Sequence, residues 1–369
     1  MKRKSIQVSK IIFLVFLLIL IITFLELFFR GMLSFYTKFT GRVPDYTIGY
    51  PDLIFLEPHP YLGYVNKRNI RKIYEAKYPY SEKFLRHYAT NSFGFMGTKD
   101  YTMHKPKDVF RIICIGGSTT QNLWDEFDYH YPRLLEDILN NMKITNLKFE
   151  VLNAGMQGWT STESLINFEL RLLDFEPDLI IVYDAVNDIF PLLTPMFKSD
   201  YSHYRIHRCT FRPNLFNYIP PFYTSKLYSF VRYKVINKFG LPVNLNALFT
   251  TNKVDYQRNF QDFKIYKRNL QSLVKLAKGY KIKVLLPYFW CYLRNTDFIP
   301  EFKKIKKGID QANEIIKEIA LEENCFYFKD EEMYSPEYFV DIVHFSKVGM
   351  RKFAQGIAEY IKNNWAAME

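Results

Sequence analysis

Cysteine and histidine are both scarce in this 369-residue chain, and neither is arranged as a metal-binding motif. Its four cysteines, Cys114, Cys209, Cys291 and Cys325, show no C-x-x-C spacing, which excludes the common zinc-ribbon and dithiol patterns and leaves compartment and pairing undetermined. Cys114 and Cys325 sit in apolar runs, where a free cysteine behaves as a small hydrophobe. His203 and His207 have i,i+4 spacing, yet with no cysteine pair nearby they read as structural histidines. No metal and no cofactor is expected.

Long apolar runs are also absent, save one. Ile11 to Phe29 is broken only by Thr23 and Glu26, and at about 1.5 Å per residue it matches a bilayer core of about 30 Å. No small-x-small cleavage site follows in Phe29 to Leu33, so the run reads as a signal-anchor rather than a removed signal peptide. Glu26 lies near its C-terminal end, within reach of the interface. Lys2, Arg3, Lys4 and Lys10 precede it. That bias places the N-terminus in the cytoplasm and the remainder outside, periplasmic or on the cell surface. The net charge of +12 is scattered rather than striped, which argues against nucleic acid as a partner. Attraction to an anionic envelope surface and ordinary solvated helix faces are the readings left.

What the chain does have is apolar mass. Apolar residues make up 48%, with 34 Phe and 28 Tyr, so a sizeable core is available and disorder is not expected over most of its length. Residues 1–30 form the tail and anchor. Residues 31–108, rich in Tyr, Pro and Gly with short β-like pieces such as Tyr61 to Val65, read as a juxtamembrane segment ending in a small extended region. Within it Thr90 to Phe95 has turn chemistry beside two aromatics, suited to a pocket rim or to capping a sheet.

From Val109 the texture alternates between β and α patterns. Strands are expected at Val109–Ile115, Phe149–Leu152, Leu179–Tyr183, Ile282–Leu286 and Cys325–Phe328. Helices are expected at Tyr131–Met142, from a capping box at Thr160 to about Phe175, at Phe260–Lys278, Glu301–Glu322 and Ser346–Asn363. Phe190–Tyr256, aromatic and without period, reads as an insertion. Five strands alternating with helices imply a doubly wound parallel sheet with its crevice beyond the strand C-termini.

Four short stretches would meet in that crevice: Gly116-Gly117-Ser118-Thr119, Asn153 to Gly158, Asn187-Asp188 and Asp341-Ile342-Val343-His344. A serine hydroxyl needs a base to become a nucleophile, commonly a histidine held by a carboxylate. Ser118, His344 and Asp341 supply these groups. A tetrahedral intermediate needs donors for its oxyanion, and the backbone N–H groups of Ser118 and Gly158 with the Asn187 amide are candidates. Taken singly, each stretch is also an ordinary turn, helix cap or surface pair.

Together, in this order, the four stretches resemble the SGNH hydrolases, the GDSL esterase/lipase superfamily, in its membrane-anchored bacterial form. The likeness runs over about Val109 to Ile361 without the insertion. Gly117 stands where that family's first block has Asp, and Ala185 where its third block has Gly. The resemblance implies a flavodoxin-like three-layer α/β/α sandwich with a five-stranded parallel sheet. It also implies a serine esterase acting on an acylated envelope carbohydrate or lipid. An O-acyltransferase onto a glycan shares this chemistry, and a glycan-binding protein without turnover shares this fold. Asp341→Asn is expected to be milder than loss of Ser118 or His344, since Asp341 only orients the imidazole.

Overall fold

The computed structural model describes residues 2–40, 55–77, 83–122, 127–204, 225, 227, 254–293 and 300–369. Most of the 190–256 stretch lies outside these residues. The chain divides into two compact units, one of residues 1–57, 73–85 and 211–243, the other of 58–72, 86–210 and 244–369.

Helix α1 (Lys2–Thr40) belongs to the first unit. Its apolar stretch, Lys10–Tyr36, has 27 residues and reaches a mean hydropathy of 3.1. At about 1.5 Å per residue this is some 40 Å, long enough to cross a membrane with tilt. It exceeds the 19 apolar residues counted from sequence and takes in Arg30, whose Nε donates to Glu26 Oε1 at 2.6 Å. The other Glu26 oxygen accepts from Ser225 Oγ at 2.7 Å and the Leu227 N–H at 2.9 Å. Glu26 is thus satisfied inside the protein.

The second unit holds a five-stranded sheet of β1 (Val109–Gly116), β2 (Lys148–Asn153), β3 (Leu179–Tyr183), β4 (Lys283–Pro287) and β5 (Phe326–Phe328). All pairings are parallel and the spatial order is β2-β1-β3-β4-β5. β1 and β3 are buried along their whole length, which is why they read as continuous apolar runs rather than alternating ones. The connecting helices are α2 (Ser118–Gln121), α3 (Tyr131–Met142), α4 (Ser161–Asn167), α5 (Val186–Leu192), α6 (Lys264–Gly279), α7 (Pro300–Glu322) and α8 (Lys347–Asn363). α3 packs on α8, while α4 and α7 pack on α6. In a parallel sheet of this order, the right-handed crossover rule puts these two groups on opposite faces.

The strand order reverses between β1 and β3, so a crevice opens at their C-terminal ends. Residues 86–96 close the outer edge beyond β2: the Met96 N–H donates to Asn153 O at 3.2 Å and forms an antiparallel bridge with it. The Thr90 turn therefore caps the sheet, and Thr90 and Asn91 also line a cleft of about 470 Å³. Two elements differ from their sequence expectation. The helix from Thr160 does not run to Phe175 as one α-helix. It widens into a π turn at Phe168–Leu172 and tightens into a 3-10 turn at Leu173–Phe175, a path that keeps Phe168, Leu172 and Phe175 all buried. α6 starts at Lys264 instead of Phe260, because Asp262 Oδ1 takes the Lys264 N–H at 2.8 Å and sets the first turn there.

Candidate active site

Ser118 opens α2 directly after β1, half-exposed at the mouth of the crevice. Its Oγ lies 2.8 Å from His344 Nε2, and His344 Nδ1 lies 2.7 Å from Asp341 Oδ2. A carboxylate can only accept, so the proton sits on Nδ1 and Nε2 accepts from the serine hydroxyl. The other Asp341 oxygen takes the N–H groups of Val343 and His344 at 2.9 and 2.7 Å. Asp341 is thereby locked in a turn of its own making, and the turn is tied at its base by the Phe339–Phe345 bridge. Behind it, Ser346 caps α8 by accepting the Gly349 N–H at 3.1 Å. The imidazole is held from both sides and half-buried. Such a series can draw the proton from Ser118 as its oxygen attacks an ester.

Gly117 has no side chain where one would not fit, because a Cβ there would stand 2.5 Å from Asn187 Nδ2. The Asn187 amide occupies that space beside the Ser118 backbone and donates to Trp159 O at 2.8 Å, which leaves it one further N–H. Gly158 adopts φ +73°, a left-handed conformation that glycine takes without strain. Its N–H meets no acceptor among the described residues. Thus Gly158, Trp159, Asn187 and Gly117 form one continuous wall next to Ser118. His203 lies elsewhere: buried, it accepts the Lys198 N–H at 3.2 Å and faces Pro191 O at 3.0 Å. No group of three or more metal-binding side chains occurs among the described residues.

Two carboxyls stand near Asn187 in the chain: Asp188, named in the third stretch but given no role there, and Asp184, which sequence reasoning passed over. Asp188 takes the Ser161 N–H at 2.8 Å and the Ser161 hydroxyl at 2.6 Å, and Asp184 takes the Ser164 hydroxyl. Burial pushes both upward, Asp188 to about 8 and Asp184 to about 7, with the Glu163 charge adding to both and Asp184 adding to Asp188. The only signal in sequence was Asp188 itself, next to Asn187. A carboxyl whose folded pKa exceeds its unfolded one holds its proton longer in the native state, so stability falls as pH rises from about 4 to about 8. Asp188→Asn should therefore flatten the decline of Tm between pH 5 and 8.5. An unchanged slope would mean that Asp188 does not titrate in this window.

The profile of the GDSL-like lipase/acylhydrolase family matches residues 114–352, a span holding all four stretches. The chain belongs to that family and is a hydrolase of ester bonds. Among solved structures it is similar to the acetyl xylan esterase AlAXEase, at 15% identity over 68% of this chain and 100% of that one with a TM-score of 0.42. It is similar also to a GDSL-like lipase from Bacteroides thetaiotaomicron VPI-5482, at 15% identity over 72% and 93% with a TM-score of 0.40. A lipase/acylhydrolase from Enterococcus faecalis aligns at 17% identity over 69% and 96%, with a TM-score of 0.42. No curated protein matches the chain.

Proposed function

We propose that the chain is a membrane-anchored serine esterase that removes an ester-linked acyl group, acetyl in the simplest case, from an envelope carbohydrate or lipid. The observation that carries this reading is the Ser118–His344–Asp341 series, at 2.8 and 2.7 Å. Ser118 Oγ attacks the ester carbonyl while His344 Nε2 takes its proton. The N–H groups of Ser118 and Gly158 and the Asn187 amide receive the oxyanion. Collapse expels the alcohol, which takes the proton back from His344, and leaves acyl-Ser118. Water, deprotonated by the same imidazole, then attacks and frees the acid. In this reading residues 109–369 form the hydrolase domain with an insertion at about 190–256, and α1 anchors it outside the cytoplasm. The basic residues ahead of the apolar run of α1 and the +12 net charge support that side and an anionic surface.

One experiment tests site and topology together. A charged, membrane-impermeant fluorophosphonate applied to intact spheroplasts should label the wild type and not Ser118→Ala. Labelling that survives in Ser118→Ala moves the nucleophile elsewhere. Labelling that appears only after lysis places the domain on the cytoplasmic side. Turnover of acetylated glycans against acyl lipids by the unlabelled enzyme then assigns the substrate class.

A further inference from the structure

We infer that Tyr64, in the strand Gly63–Asn66 and outside the span of the family profile, is a positioning residue for the oxyanion site. This rests on the esterase reading above. The Trp159 N–H donates to Met156 O at 3.2 Å, so residues 156–159 form a β-turn. Gly158, with φ +73° at its third position, marks it as type II. In types I and II the central peptide, here between Gln157 and Gly158, faces opposite ways, and glycine makes the flip easy. Within a trans peptide C=O and N–H point in opposite directions. Whatever holds the Gln157 carbonyl therefore aims the Gly158 N–H. The Tyr64 hydroxyl donates to that carbonyl at 2.7 Å.

The turn is gripped from its other side as well. Gln121, fully buried at the end of α2, accepts the Gln157 N–H through Oε1 at 2.7 Å and donates through Nε2 to Asn66 Oδ1 at 2.9 Å. Asn66 also accepts the Tyr88 hydroxyl at 2.7 Å and donates to Gly94 O at 3.0 Å. Tyr64 and Asn66 thus lie on one short strand, and between them they fix the turn to the helix that carries Ser118. The Tyr64 ring lies 6.5 Å from that of Trp159. Its packing is separable from its hydroxyl, the group that donates to the carbonyl.

Tyr64→Phe keeps the ring and removes the hydroxyl. Losing one oxyanion donor outright costs on the order of 10²–10³-fold in kcat, and a donor that is free to flip but still present part of the time should cost less, roughly tenfold. The expected result is a kcat about tenfold lower, with KM within about twofold and Tm lower by no more than a few degrees, as for one hydrogen bond lost. Affinity for a small alkylboronic acid, whose tetrahedral adduct places an oxygen in the same site, should fall in parallel with kcat. Asn187→Ala in the same assays is the control for the oxyanion reading. If Asn187→Ala loses kcat while Tyr64→Phe does not, the Tyr64 assignment alone is wrong. If neither variant loses kcat, the oxyanion reading fails and takes Tyr64 with it. A Tyr64→Phe that lowers Tm and raises KM without weakening boronate binding would make the hydroxyl structural, which also overturns the proposal.

Discussion

Ser118→Ala and His344→Ala should each lower ester turnover by on the order of 10⁶-fold, and the double variant should be scarcely worse. Nucleophile and base act in one step, and the 2.8 Å contact between them is the path of the proton. Removing either end leaves the other idle, so the two losses do not add. The Asp341 geometry adds a size to the milder effect expected from sequence. One Asp341 oxygen is committed to the N–H groups of Val343 and His344. An asparagine would keep its carbonyl there and turn its NH₂ toward Nδ1, which forces the imidazole proton onto Nε2. That nitrogen could no longer accept from Ser118. Asp341→Asn should therefore cost on the order of 10⁴-fold, milder than loss of Ser118 or His344 but far from silent. Turnover of an activated acetyl ester measures all four variants, with Tm recorded beside it. A folded Ser118→Ala that keeps near-normal turnover would sink the acyl-enzyme mechanism.

The sheet was legible because its strands are short apolar runs ending in turn residues, and the strand order places their C-termini side by side. Thr160 and Glu163 were legible for a local reason, since a capping box is written in four residues; the Thr160 N–H donates to Glu163 at 2.8 Å. What could not be read was anything joining distant segments. Nothing around Tyr64 announces that its hydroxyl meets a carbonyl 93 residues away. Gly117 was legible as a departure from the family block but not as space for the Asn187 amide, because that space is defined by a loop from another strand. The π turn at Phe168–Leu172 was hidden too: three buried side chains at near-helical spacing look the same in sequence whether the turn is regular or widened.

Arg111 shows the same blindness with the larger consequence for stability. In sequence it merely interrupts an apolar run, yet its side chain is fully buried. Nε and Nη2 donate to Glu150 Oε2 at 3.1 and 2.8 Å, and Nη1 donates to the carbonyls of Thr102, Met103 and Phe175 at 2.8, 3.1 and 2.7 Å. Arg111 and Glu150 are direct partners in the β1–β2 register. One side chain therefore ties the first two strands to the segment before β1 and to the turn before β3. Arg111→Met would strand a nearly buried carboxylate and three carbonyls, at about 3–5 kcal/mol. For a domain of this size that is a fall in Tm on the order of 10 °C. Arg111→Met with Glu150→Leu should recover much of the loss, because the uncompensated charge, more than the ion pair itself, carries the penalty. Ser118 lies seven positions after Arg111, the first five of them in β1, roughly 20 Å along the chain. Any folded Arg111 variant should accordingly keep its kcat at low temperature. Thermal melts of the two single variants and the double variant, with kcat at 10 °C, measure this. A single variant that melts within 2 °C of the wild type would show that Arg111 does not hold the strands together, and a double variant no better than the single would locate the cost in the three carbonyls instead of Glu150.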